Sequence, residues 1–419
     1  MDYMLLRQII INQNIFFKNK NVGYIRDKLE LIKKDVSNPT IIVITGHRRV
    51  GKSTLFLQIA NFFYKNNYYY LDFSDPILRK INVEDFLKIE EIFLKEFKKR
   101  DAFFFDEIQG VPDWNLFVNQ LRDKGYKVFI TGSNADLLSK EISTYLTGRH
   151  KDYELFPFSF KEYLGYNNIT KGYFTTSENA LILSYFDKYL NNGGFPEIVI
   201  YDQKELLKSI YNDVILKDVA LRWDLKNISE LEDLSFYLLS NSTQEYNYNS
   251  LKKQVNIKDA KTVKQYINYL CKTYMFFEVT QFDFSLNKQR KRNKKIYVLD
   301  NGFLTQVGYS FAIGKSRYLE NLIFIELKIR GFEVYFYKDN LNQECDFLTV
   351  KNKKVYEAFQ VCFSLDSKET EDREIKGLLS ALKKYNLKEG KIITYNTEKE
   401  IKVDDFLINF IPAFKWLLD

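Results

Sequence analysis

Uninterrupted apolar runs alternate with stretches of helical spacing through the first third of the chain. "TIIVIT" (40–45) is short and β-branched, and "STLFLQIANFFYK" after it repeats apolar residues at helical intervals. "YYYLDF" (68–73), "AFFFDEI" (102–108) and "KVFITGS" (127–133) predict further strands, with helical patterns such as "VEDFLKIEEIFLKEFKKR" between them. Strands that are apolar throughout and alternate with helices predict a parallel sheet covered on both faces.

Beyond this region the pattern changes. From about 178 to 240 it is mostly helical, broken by "NNGGFPE", and predicts a small helical lid. "NSLKKQVNIKDAKTVKQYINYLCKTYMFFEV" predicts helix, turn, helix and strand, and "TQFDFSLNKQRKRNKKIYVLD" a hairpin with a basic tip, the outline of a winged helix-turn-helix. Alternation then restarts: a helix at "RYLENLIFIELKIRG", strands at "FEVYFYK", "CDFLTVK" and "KVYEAFQVCF", a helix around "REIKGLLSALKKYN" and a strand "KIITYN". The expected domains are 1–165, 166–238, 239–312 and 313–419.

Composition changes this picture little. A chain of 419 residues with 45% hydrophobic and 28% charged residues suits several folded, soluble domains. The net charge of +7 is compatible with nucleic acid, but abundant Lys, Asn, Ile, Tyr and Phe also follow from an AT-rich genome. Cys271, Cys345 and Cys362 match neither a zinc pair nor a disulfide framework and fit a reducing cytoplasm. With His47 and His150 the only histidines, carboxylates must hold any metal. The opening "MDYMLLRQIIINQNIFF" lacks a cleavage site, and "FLINFIPAFKWLL" is too short to span a bilayer, so no membrane segment and a cytoplasmic location are expected.

The clearest chemistry lies in "TGHRRVGKST". Gly46, Gly51, Lys52 and Ser53 satisfy the phosphate-loop spacing, and the nucleotide-binding set runs through His47, Arg48, Arg49, Val50 and Thr54. Main-chain N–H groups at the helix start would surround the phosphates of ATP, with Lys52 on the β and γ phosphates and Ser53 on Mg²⁺. "AFFFDE" ends in Asp106, suited to the Mg²⁺ shell, and in Glu107, suited to orienting the attacking water. Ser133 or Asn134 in "ITGSN" could sense the γ-phosphate, or simply form a turn. Arg149 in "LTGRH" could stabilise the transferring phosphoryl group in cis or from a neighbouring subunit, or be an ordinary surface residue.

"GHRRVGKST", "FFFDEIQ", "ITGSNADLL", "LTGR", "LFPFSFKEYL" and "GGFPE", with "ECDFL", "FQVC" and "REIKGLL" in the tail, together resemble the archaeal ATPase group of AAA+-like P-loop proteins. The resemblance implies an α/β fold: a P-loop NTPase sheet, a helical lid, a winged helix and a restriction-endonuclease-like tail. It also marks Arg48 and Arg49 as a recurrent pair. They are expected to tie the loop to an acidic neighbour such as Glu107 or the lid, in preference to contacting an external anion.

Nucleases of the restriction-endonuclease type pair helix and strand acids with a later E-x-K. Here Glu320 and Asp346 supply the acids, but Gln360, Val361 and Cys362 stand where E-x-K should fall. The missing lysine predicts a degenerate site. The basic run contains Lys288, Arg290, Lys291, Arg292, Lys294 and Lys295; with Lys261 and Lys264 on the second helix, it is a candidate contact for double-stranded DNA or simply a solvated turn. The resulting expectation is an ATP-binding and ATP-hydrolysing switch or motor acting on or near DNA. The alternatives are a nucleotide-gated module for protein partners and an ATP-regulated nuclease; self-assembly into a homo-oligomer stays open.

Overall fold

The computed structural model describes residues 1–135, 148–169, 175–309 and 314–419. Residues 136–138 and 146–147, parts of two quoted motifs, lie outside these. The chain forms two compact units, Met1–Phe156 and Pro157–Asp419.

The first unit is built on five parallel strands: β1 (Ile41–Thr45), β2 (Tyr68–Asp72), β3 (Ala102–Asp106), β4 (Lys127–Gly132) and β5 (His150–Glu154), in the order β2-β3-β4-β1-β5. Strands β1 to β4 are buried nearly throughout, which is why each reads as a continuous apolar run. One face, bearing Tyr69, Leu71, Phe103, Phe105 and Ile130, packs into a large apolar core with the helices Val83–Phe97 and Trp114–Asp123. On the other face Phe104 stacks on Phe129 and meets Phe56 of the helix Lys52–Ile59 edge to face.

The helix Tyr3–Lys18, capped by Asp2, covers the edge of β2. Asn14 donates to the Tyr70 carbonyl and accepts from its N–H, and Gln13 does the same at Asp72. Two side-chain amides thus satisfy edge groups that would otherwise be open to another strand.

The second unit begins with helices, including Phe160–Tyr166, Thr176–Asn192 and Ile228–Ser240. After them come β6 (Glu245–Tyr246), the helices Tyr248–Gln254 and Ala260–Lys272, β7 (Phe276–Thr280) and β8 (Lys294–Val298), paired antiparallel in the order β6-β8-β7. A short helix, Leu286–Lys291, joins β7 to β8 where a simple hairpin turn was expected.

The tail has six strands, β9 (Glu333–Lys338), β10 (Glu344–Lys351), β11 (Lys354–Cys362), β12 (Glu389–Thr394), β13 (Lys399–Val403) and β14 (Phe406–Pro412). Their order is β13-β14-β12-β11-β10-β9, and the helices Lys315–Ile329 and Lys368–Tyr385 pack with them. No helix among the described residues is long and apolar enough to cross a membrane.

Candidate nucleotide site

The candidate site lies at the C-terminal ends of β1, β3 and β4. Side chains two apart on a strand share a face. Asp106 therefore lies on the face of Phe104, as Tyr70 follows Tyr68 and Thr131 follows Phe129, and this is the face covered by the phosphate-loop helix. Tyr70 donates to Asp106 Oδ2 at 3.1 Å, Thr131 donates to Oδ1, and the Ser53 hydroxyl also hydrogen-bonds this carboxylate. The hydroxyl and carboxylate expected to share Mg²⁺ are thus already in contact.

The loop backbone is shaped by its glycines. Gly46 (φ 142°) faces the Leu155 carbonyl so closely that a Cβ would lie 2.3 Å from its oxygen, and Gly51 starts the helix in the left-handed region. Arg49 (φ 63°) and Glu107 (φ 51°) adopt the same region without being glycine, a local cost often stored at functional sites. Lys52 is buried and donates to the carbonyls of Gly46 (3.1 Å) and His47 (3.0 Å). Its ammonium lies 3.5 Å from Glu107 Oε1, while Ser133 Oγ (3.0 Å) and Gln109 donate to Glu107 Oε2.

Electrostatics separates the two acids. Burial, then the neighbouring Glu107 and Asp72 charges, pushes the Asp106 carboxyl from 3.8 up to about 6. Burial also opposes ionisation of Glu107, but the Lys52 ammonium and the bonds from Gln109 and Ser133 outweigh it and hold that carboxyl below its ordinary value. His47 is driven down to about 3, chiefly by burial, so it is neutral, with its Nδ1 2.7 Å from the Arg48 carbonyl.

The raised Asp106 pKa carries a prediction. The folded state binds this proton more readily than the unfolded chain, so stability falls as pH rises from 3.8 to about 6 and stays lower above. That displacement corresponds to about 3 kcal/mol. Asp106→Asn should therefore raise the melting temperature of the nucleotide-free protein at pH 8 while removing the Mg²⁺ dependence of nucleotide binding; calorimetry and titration at the same pH check both halves.

Several expectations need correction. Of the acidic neighbours expected for Arg48 and Arg49, Glu107 or the lid, Glu107 spends its carboxylate on Lys52, Gln109 and Ser133 instead; Arg48 is half-buried and Arg49 exposed. Arg149 is exposed at the start of β5, where its carbonyl accepts from Ile41 at the start of β1. It thus stands a full strand length from the loop that follows Thr45.

Lys294 and Lys295 do not belong to an exposed basic tip: both are buried in β8. Lys261, Lys264, Lys288, Arg290 and Arg292 are exposed.

Sequence reasoning missed Arg26. Its buried guanidinium donates to the carbonyls of Val50 (2.9 Å) and Phe156 (2.8 Å), tying the phosphate loop to the end of β5. Gln58 holds the same strap through the N–H of Arg26 and the carbonyls of Val22 and Tyr24. A single arginine in an undistinguished stretch gives no pattern by which to find it. In the tail, Asp346, Gln360 and Glu320 do come together: the Asp346 N–H donates to Gln360 Oε1 at 3.2 Å, and Lys295 bridges Asp346 to Glu320.

A phosphate loop leading from β1 of a parallel sheet into a helix, with two acids at the end of β3, one strand removed across β4, defines a nucleotide-binding P-loop protein. Residues 38–164 match an AAA domain, and residues 183–312 match a domain of unknown function. The chain belongs to the family of an uncharacterized protein of Methanocaldococcus jannaschii, to which it is 36% identical over 100% of its length and 99% of the relative's. An uncharacterized protein of Haemophilus influenzae is 30% identical over 90% of this chain and 94% of its own.

Among solved structures, Cdc6p from Pyrobaculum aerophilum aligns with 71% of this chain and 97% of its own at 14% identity and a TM-score of 0.30. Domain III of the Thermotoga maritima replication initiation protein DnaA aligns with 48% of this chain and 91% of its own at 15% identity and a TM-score of 0.32. Likenesses this distant carry no functional weight.

Proposed function

We propose that the chain binds ATP with Mg²⁺ on residues 46–54 and hydrolyses it, working as a nucleotide-dependent switch or motor on or near DNA. The observation that carries this reading is the paired arrangement at the strand ends: Ser53 on Asp106, and Lys52 beside Glu107. The donor set fits the ligand. Backbone N–H groups of the loop and helix start face the phosphates, Lys52 turns from loop carbonyls to phosphate oxygens, and Ser53 and Asp106 hold the metal. Bound Mg²⁺ neutralises charge on the phosphate oxygens. Glu107, kept ionised, orients the water that attacks the γ-phosphorus, and Ser133 fixes the direction of that carboxylate. Turnover of ATP by the parent and by Lys52→Ala tests this directly.

Arg149 enters as a residue donated to a neighbouring copy, since it stands a full strand length from its own loop. Mixing Arg149→Ala with Lys52→Ala protein would then restore turnover that neither shows alone. Each supplies what the other lacks at one kind of mixed interface.

In the second unit we read a helical lid, a winged helix and a nuclease-like tail. Support for DNA comes from five exposed cations, Lys261 and Lys264 on the helix Ala260–Lys272 and Lys288, Arg290 and Arg292 on the β7–β8 connection. The triple variant Lys288→Ala, Arg290→Ala, Arg292→Ala should bind duplex DNA more weakly and lower the slope of log affinity against log salt by about 3. An unchanged slope in a fluorescence-anisotropy titration removes this surface from the account.

A further inference from the structure

The lysine missing from the tail's strand motif is present in space, supplied from another element. Lys295 comes from β8, 51 positions before Asp346, and its buried ammonium reaches Glu344 (2.7 Å), Glu320 (3.0 Å) and Asp346 (3.6 Å). These acids come from β10 and from the helix Lys315–Ile329. The cluster stands at one side of a cleft of about 710 Å³, whose lining also includes Arg317, Gln360, Arg373 and Glu374.

A restriction-endonuclease-like site needs a divalent cation on these carboxylates, and the residues do not fit that demand. Glu320 Oε1 accepts from both Lys295 and Tyr297; Asp346 Oδ2 accepts the Val361 N–H at 2.9 Å. Gln360, the one neutral donor offered by the strand motif, uses its carbonyl on the Asp346 N–H and its amide on Glu374. Among the described residues, no group of three or more His, Cys, Asp or Glu side chains is disposed to hold a metal ion.

We infer that Lys295 is the built-in cation of the tail, occupying the position a catalytic metal would take, so that this domain folds and presents its cleft without a divalent ion and does not cut nucleic acid. Burial opposes the charge of Lys295, but Glu320, Asp346 and Glu344 together overcome it, so the ammonium stays charged. Lys338 adds a second cation on Glu344 at 3.5 Å. The ammonium is fixed among the acids by the fold, whereas a metal would have to enter and strip its own water.

The inference makes removal of Lys295 a gain of function. Manganese(II) is the probe, titrated by electron paramagnetic resonance into full-length, nucleotide-free protein. The parent should show no saturable site that Asp346→Asn abolishes. Lys295→Ala should melt at a lower temperature than the parent, because buried carboxylates lose their partner. It should also bind one Mn²⁺ that the parent does not, and recover its melting temperature as the ion is added. Adding Asp346→Asn to Lys295→Ala should erase the acquired site.

If Lys295→Ala fails to fold, the parent and Asp346→Asn decide alone. Saturable Mn²⁺ binding by the parent that Asp346→Asn removes overturns the inference. So does Mg²⁺-dependent cutting of duplex DNA that Lys295→Met abolishes.

Discussion

Lys52→Ala loses ATP binding, and with it turnover, while the protein stays folded. The ammonium is buried among loop carbonyls and Glu107, where a charge-assisted contact to phosphate is made with little competition from water. Truncating one member of such a pair costs about 2–5 kcal/mol, a weakening of roughly thirtyfold to several thousandfold. The fold survives because Glu107 keeps its bonds from Ser133 and Gln109 and its side chain is a quarter exposed. Titration with a fluorescent ATP analogue measures the loss, and circular dichroism checks the fold. Affinity within a factor of about two of the parent, far inside the range expected for that contact, would place the nucleotide elsewhere.

Glu107→Gln separates binding from chemistry. The amide is nearly the same shape, so the positive φ of residue 107 and its place beside Ser133 can persist, but it no longer accepts a proton or attracts the attacking water. Turnover should fall by about 10²–10⁴, the usual worth of a positioned general base. Affinity for ATP should be kept, and bound nucleotide recovered from the variant after incubation should be mainly triphosphate. Equal losses in affinity and turnover would instead make Glu107 a structural partner of Lys52.

The phosphate loop was legible because local pattern and chemistry coincide there. A β-branched run, glycine spacing and a helical repeat all fall within residues 40–64, and their structural counterparts are β1, the loop and the helix Lys52–Ile59. Asp106 and Glu107 were legible as acids ending an apolar strand. Their assignment to metal and water followed from the motif; the opposite directions in which their acidities move did not, since these depend on burial and on Lys52, Ser133 and Gln109, which only the fold brings near.

β5 escaped notice because "HKDYE" is polar and its strand character comes from pairing with β1. β13 and β14 are likewise defined by partners: the alternation in "KEIKV" is short, and "FLINFIP" ends in a proline that suits a strand terminus.

Lys295 shows the limit most plainly. Within "NKQRKRNKK" every cation looks solvated, and nothing local distinguishes Arg292, which is exposed, from Lys295, which is buried. The difference is made by Glu320, Glu344 and Asp346, all at least 25 residues away along the chain. The E-x-K spacing looks for the lysine on one strand, whereas an ammonium can arrive from whichever element packs alongside, here directly onto the acids. Arg26 was missed for the same reason, since both of its carbonyl partners are set by the fold.

The most direct measurement is a crystal structure of the full chain with a non-hydrolysable ATP analogue and Mn²⁺, the ion located by its anomalous scattering. The account predicts β and γ phosphates against the backbone N–H groups of residues 47–53, Lys52 Nζ moved from the Gly46 and His47 carbonyls onto phosphate oxygen, and Mn²⁺ bonded to Ser53 Oγ. An analogue bound at any other place, with Lys52 still on those two carbonyls, would contradict it.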